Sequence, residues 1–183
     1  MIPQAFEERA AEFSNIVVNV FRFLEADYGF ECRGLELRDL EYPQDARVSV
    51  PFVGETVGID VVLGFGDDSI SVVVYELDRG SKPERLSFYP GAEGAKAARL
   101  ETVVRVLAGS DFSFPLPVIT PGLSVAEMSR RGEERSKLLR EDLRGVVSAF
   151  ADLAREHAQQ ILKGDTSRFS EFQTHHSEFW RWA

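Results

Sequence analysis

The hydrophobic period of this chain changes twice, and those two changes limit the folds open to it. Phe6, Ala10, Phe13, Val17, Val20, Phe21 and Leu24 recur at steps of three and four. Glu7, Glu8, Arg9, Glu12 and Arg22 take the other side, so residues 1–27 read as an amphipathic helix. Tyr28-Gly29-Phe30 ends it, with Gly29 suited to the left-handed closing position. The period then falls to two. Leu35 and Leu37, then Val48, Val50 and Phe52, then Val57, Ile59, Val61, Leu63 and Phe65 take alternate places, and an apolar run continues from Ser69 to Leu77. Short polar links such as Gly66-Asp67-Asp68 join these runs as hairpins and predict an antiparallel meander of about four strands over 33–78.

Helical spacing returns at Leu100, Val103, Val104 and Leu107, closed by Gly109. The proline-rich stretch 110–122 reads as an irregular crossing, apolar enough to lie against the core. Ser124 and Glu127 have the spacing of a capping box, which predicts a helix from near Val125 that Gly132 interrupts. Leu139, Leu143, Val146, Val147, Phe150, Leu153, Ala154 and Ile161 then mark a long amphipathic helix ending at Gly164. Asp165 is placed to cap a short terminal helix.

Strands followed by helices indicate an α+β fold: an antiparallel sheet covered on one face by the N-terminal helix and by long C-terminal helices. A length of 183 residues, 44% of them hydrophobic and fourteen of them Phe, is enough for a single domain over 1–183, with the helical part spanning 96–183. Cys32 is the single cysteine, so no internal disulfide forms and a reducing cytoplasm is the expected setting. The start lacks the basic and apolar regions of an export signal, and no run approaches the roughly 20 apolar residues that cross a bilayer, so no membrane association is expected.

The net charge of −9 is unevenly placed. Between Glu25 and Glu93 lie fifteen acidic and six basic residues, while the remaining stretches hold fifteen of each. A field of that sign favours a basic protein partner and opposes phosphate backbones, so nucleic acid is not expected as a ligand. The arginines of RRGEERSKLLREDLR are offset by acids and describe a solvated helix face. Asp60, Asp67, Asp68, Glu76 and Asp78 are the candidate contacts on the sheet side, and Trp182, beyond the terminal aromatic stripe, is a candidate anchor.

The same residues carry blander readings. Asp67 and Asp68 occupy a turn that favours aspartate for conformational reasons, and Asp60 lies mid-strand opposite Ile59 and Val61. Phe169, Phe172, His176, Phe179 and Trp180 fall on one helical face that reads as a docking stripe. His175 points to the side of Glu171 and Glu178, so the paired histidines do not share one metal; Glu171, His175 and Glu178 form a ladder that offers three ligands to a divalent ion, yet it reads first as a solvated polar face with local ion pairing. His157 and Cys32 read as structural residues, and PGAEGAK lacks phosphate-loop spacing.

An opening helix ending in Tyr28-Gly29-Phe30, a strand meander, and a closing helix ending in Leu162-Lys163-Gly164-Asp165 before several phenylalanines resemble small bacterial proteins, some of which serve as immunity proteins paired with toxins. The resemblance implies a binding role and no catalytic residues. The expectation is therefore a non-catalytic binding protein, without metal or cofactor, whose acidic sheet side meets a basic partner such as a toxin. The alternatives are a metal-dependent hydrolase using Asp60, Asp67 or Asp68, or the Glu171, His175 and Glu178 ladder, and a structural or oligomer-forming module in which Trp180 and Trp182 of the tail bury in a neighbour.

Overall fold

The computed structural model describes residues 4–38, 46–109 and 112–179. Over them the chain is a mixed α+β fold of seven helices and a seven-stranded, mostly antiparallel sheet. Helices α1 (Gln4–Val20) and α2 (Phe23–Tyr28) precede strands β1 (Glu31–Cys32), β2 (Glu36–Arg38), β3 (Arg47–Val53), β4 (Val57–Gly64) and β5 (Ser69–Glu76). Strands β6 (Leu86–Ser87) and β7 (Ala95–Arg99) follow, then α3 (Leu100–Ala108), α4 (Val125–Glu141), α5 (Leu143–His157), α6 (Gln159–Leu162) and α7 (Phe169–Phe179). No helix among the described residues is long and apolar enough to cross a membrane.

The sheet runs β1-β3-β4-β5-β7-β6, with β2 also alongside β3, so it is wider than the four-stranded meander the alternation predicts. The extra width comes from β7, whose sequence AKAAR has neither branched nor aromatic residues to mark it as a strand. It pairs along the open edge of β5, setting Ala97 opposite Tyr75, and β6 adds to it in parallel.

The inner face follows the period-two pattern. Val48, Val50 and Phe52 of β3, Ile59, Val61 and Leu63 of β4, and Val72 and Val74 of β5 are buried in one cluster with Phe13, Val17 and Phe21 from the N-terminal helices and Val147 and Phe150 from α5. Burying each such side chain stabilises the fold by about 2 kcal/mol, so this seam is the main source of cohesion.

Local polar groups set the helix ends. The Ser124 side chain accepts from Glu127 N at 3.2 Å, half of the expected capping box; the Glu127 carboxylate turns instead to Arg130 and Arg131. Gly132 does not interrupt α4, which runs through it. The single long helix expected through Ile161 is divided, because the Asp142 carboxylate accepts from Gly145 N at 2.9 Å and starts α5 afresh. Gly29, at φ 70°, closes α2 in the left-handed conformation.

The outer face divides in two. Over one half the segment 77–95 folds back, and Leu77, Leu86 and Phe88 pack with Val73, Tyr75 and Ala97 as a second small core. The other half is lined by three cross-strand rows: Arg47, Gly64 and Ser69; Val62 and Ser71; Val73 and Arg99. That half carries the site.

Candidate functional site

The five carboxylates proposed for the sheet side do not share a surface. Asp60 is only 4% exposed and lies under the 77–95 segment. The Tyr75 hydroxyl donates to its Oδ1 at 2.8 Å, and Lys82 Nζ reaches its Oδ2 at 2.7 Å and Glu36 at 2.8 Å. Burial in an in-chain ion pair removes it as a partner contact. Asp67 and Asp68 occupy the β4–β5 turn, where Asp68 takes a left-handed φ of 43°. Ser69 Oγ donates to Asp67 at 2.7 Å, Ser136 Oγ donates to Asp68 at 2.7 Å, and Arg9 reaches Asp68 at 3.3 Å.

Glu76 and Asp78 lie at the far end of β5, about 25 Å from that turn at about 3.3 Å per residue. There Lys96 stands 3.9 Å from Glu76, and Asp78 closes a backbone bridge with Ser81. The five carboxylates are thus divided by the length of a strand, and a lysine or arginine of the chain itself stands beside Asp60, Asp68 and Glu76. Trp182 lies outside the described residues.

The metal alternatives are separated in the same way. Asp60 does not join Asp67 and Asp68, and among the described residues no group of three or more His, Cys, Asp or Glu is placed to hold an ion. Glu171 is engaged by Arg168 at 2.7 and 2.8 Å, and His175 stacks on Phe179. His176 is buried beside Phe88 and Tyr89, with Nδ1 at 3.3 Å from Thr102 Oγ1. His157 meets Phe112 edge to face.

What the fold does assemble is a cleft of about 640 Å³ over the uncovered half of the outer face. Its floor is the three cross-strand rows. One wall is α4, held to the β4–β5 turn by the Ser136–Asp68 hydrogen bond. The other is the 112–119 crossing, tied to α4 by Arg131 Nη1 donating to the Val118 carbonyl. Val62, Val73, Phe88, Phe114, Leu116 and Ile119 supply apolar surface, while Arg47, Arg99 and Arg135 are matched by Glu101, Asp67 and Asp68, the last two being candidate contacts from the sequence.

Glu101 stands in the first turn of α3, where an acid suits the helix dipole. Its Oε2 is nevertheless shielded from water and makes no hydrogen bond among the described residues, and the same holds for Nε of Arg135. Burial pushes the Glu101 carboxyl above the usual carboxylate range, against the pull of its own backbone N–H and of Arg99, Arg135 and Arg105. Burial also lowers the Arg135 pKa, opposed by Asp67, Glu101 and Asp68. Orphaned buried polar atoms are costly, and two of them in one concavity mark a place suited to binding.

A larger groove of about 840 Å³ runs between α1 and the α4–α5 junction. It is lined by Glu8, Glu12, Arg140 and Arg144, and none of its side chains leaves a buried polar atom unpartnered among the described residues.

Periodicity gave no sign of Arg99, Glu101 or Arg135, since each sits on an otherwise unremarkable helix or strand end. The nearest signal was the apolar, proline-rich crossing, which has to lie over something. No protein-family model, no curated protein and no solved structure matches this chain, so the cleft's own geometry carries the functional reading.

Proposed function

We propose that this chain is a non-catalytic binding protein whose recognition site is the cleft bounded by α4, the 112–119 crossing and the outer sheet face. One observation carries the reading: Glu101 and Arg135 both line this cleft, and Glu101 Oε2, a buried acceptor, and Arg135 Nε, a buried donor, make no hydrogen bond among the described residues. A folded chain keeps such groups against their desolvation cost where a ligand completes them. Replacing both with Met keeps helix propensity and volume while removing the polar atoms. Glu101→Met/Arg135→Met is expected to melt higher than the parent. The low-molecular-weight fraction of a cell extract is expected to raise the melting temperature of the parent and not of the variant. A variant that melts lower, or that responds to the extract as the parent does, overturns the reading.

A second reading, recognition of a basic protein such as a toxin, draws support from the other end of the sheet. There β1–β3 and β4–β5 pairing brings Glu31 and Glu55 to the same end as Glu76 and Asp78, and Glu55 and Asp78 are exposed. Its test is co-expression with the product of the adjacent gene. Growth protection abolished by Glu55→Lys/Asp78→Lys favours it, and protection indifferent to those changes rejects it.

A further inference from the structure

The ionic groups of the cleft balance. Arg47, Arg99 and Arg135 line it together with Asp67, Asp68 and Glu101, so the lining favours neither sign of ligand charge. The acids of the turn are engaged within the chain: Asp67 accepts from Ser69, and Asp68 from Ser136 and Arg9. Selection therefore falls to an acceptor on Glu101 and a donor on Arg135, which make no hydrogen bond among the described residues.

The charges of these two residues act on each other, yet Glu101 Oε2 and Arg135 Nε are not hydrogen-bonded to one another. A group that donates toward Glu101 and accepts from Arg135 would bridge them. A carboxamide carries both functions on one carbon, and an ammonium beside a carboxylate, as in an amino acid, carries them with charges that cancel. A lone carboxylate brings no proton to an ionised Glu101, and a lone ammonium brings no lone pair to Arg135, so each leaves one buried atom unpaired. Val73 on the floor and Phe114 on the crossing supply apolar surface. Gly132, inside α4, leaves that wall open: its φ is not positive, and a Cβ there meets no atom within 4 Å. Glycine is disfavoured in a helix interior, and in the wall of a cleft its missing side chain has a use.

We propose that the cleft binds a small molecule of no net charge with a donor and an acceptor side by side on an apolar body, an amide or a zwitterionic amino acid, its N–H toward Glu101, its oxygen toward Arg135 and its body against Val73 and Phe114. This rests on the reading of the cleft as the recognition site. Four probes share one phenylalkyl body: 3-phenylpropanamide, L-phenylalanine, 3-phenylpropanoate and 3-phenylpropylammonium. Each is titrated into the full nitrogen-15-labelled chain at pH 8, to favour the ionised form of Glu101, and amide resonances are followed. Saturable shifts in α4 and the 112–119 crossing are expected for one or both net-neutral probes, with the anion and the cation at least tenfold weaker. The neutral probe that saturates at lower concentration assigns the amide or the amino-acid source.

Removing one charge should convert the selection. Glu101→Met should bring the anion to at least the affinity of the neutral probes, and Arg135→Met the cation, reversals that a loss of folding would not produce. Gly132→Phe should abolish binding by occupying the space, and Arg140→Met, outside the cleft, should bind as the parent does. Near-ultraviolet circular dichroism matching the parent establishes that each variant is folded. A charged probe that binds the parent as tightly as the neutral ones, or variants that keep the parent's order of affinity, overturns the proposal. Silence from all four probes does the same. If the cell extract still raises the parent's melting temperature in that case, the cleft stays the recognition site for another class of ligand; if it does not, both readings fall.

Discussion

Among the polar residues that the chain buries, Asp60 and His176 are stabilised in opposite ways. Asp60 is completed by Tyr75 and Lys82, and removing one partner of a buried pair leaves the others uncompensated. Glu36 retains part of the hold on Lys82, so Asp60→Ala is expected to cost about 3 kcal/mol, the low end for such a change, read from the denaturant midpoint. A loss of a few tenths would mean that the triad forms no part of the fold's stability. His176 works through the opposite protonation state. Desolvation first, then the charges of Arg99 and His175, lower its pKa from 6.5 to about 4. The unfolded chain therefore takes up the proton first. The contribution is complete above pH 6.5 and is lost as pH falls toward about 4, by about 1.4 kcal/mol per unit. His176→Phe cannot titrate, so its stability between pH 6.5 and 4.5 should fall less steeply than the parent's. Parallel curves would remove His176 as the source.

At the scale of elements, the legible parts are those in which one face is buried at a regular period. Helix α1, strands β3 to β5, α3 and the body of α5 follow their apolar spacing because the inner face is continuous, whereas Leu35 and Leu37 alternate beside β3 yet stay exposed. What spacing does not encode is the second surface. β7 is a strand because β5 offers it an edge, and Ala97 is small where Tyr75 stands opposite. Asp60 reads as exposed under strict alternation, yet the 77–95 segment returns to cover it, a tertiary event with no local mark. Of the cleft's charged residues only Asp67 and Asp68, in the β4–β5 turn, stood out in the sequence; the others come from β3, β7, α3 and α4 and meet only in three dimensions.

Gly58 shows how tightly the covered half is fitted. A Cβ there would fall within the Tyr75 ring, which is fully buried and bonded to Asp60. Gly58→Ala should destabilise by about 2 to 3 kcal/mol, and the loss should shrink when Tyr75→Phe is added, because the hydroxyl is among the atoms displaced. Equal losses in both backgrounds would place the strain elsewhere.

For the whole molecule, the question is what the closing helix α7 holds in place. Phe169 and Phe172 of its aromatic stripe complete the inner core. On the outer side Gln173 Nε2 donates to the Ser87 carbonyl at 2.8 Å, and His176 lies against Phe88 and Tyr89. Phe88 also lines the cleft, so the C-terminal turns of α7 support one boundary of the binding site from behind. A chain ending at Thr174 keeps Phe169, Phe172 and Gln173 but loses the ring contacts of His176. Hydrogen exchange should then quicken in residues 86–89, where protection depends on few contacts, while β4, paired on both sides, keeps its protection. The same truncation should reduce the rise in melting temperature that the low-molecular-weight extract gives the parent, because Phe88 loses its backing although no cleft residue has been changed. Faster exchange in β4 would instead make α7 part of the globally cooperative core, and exchange unchanged throughout would sever the link between tail and cleft.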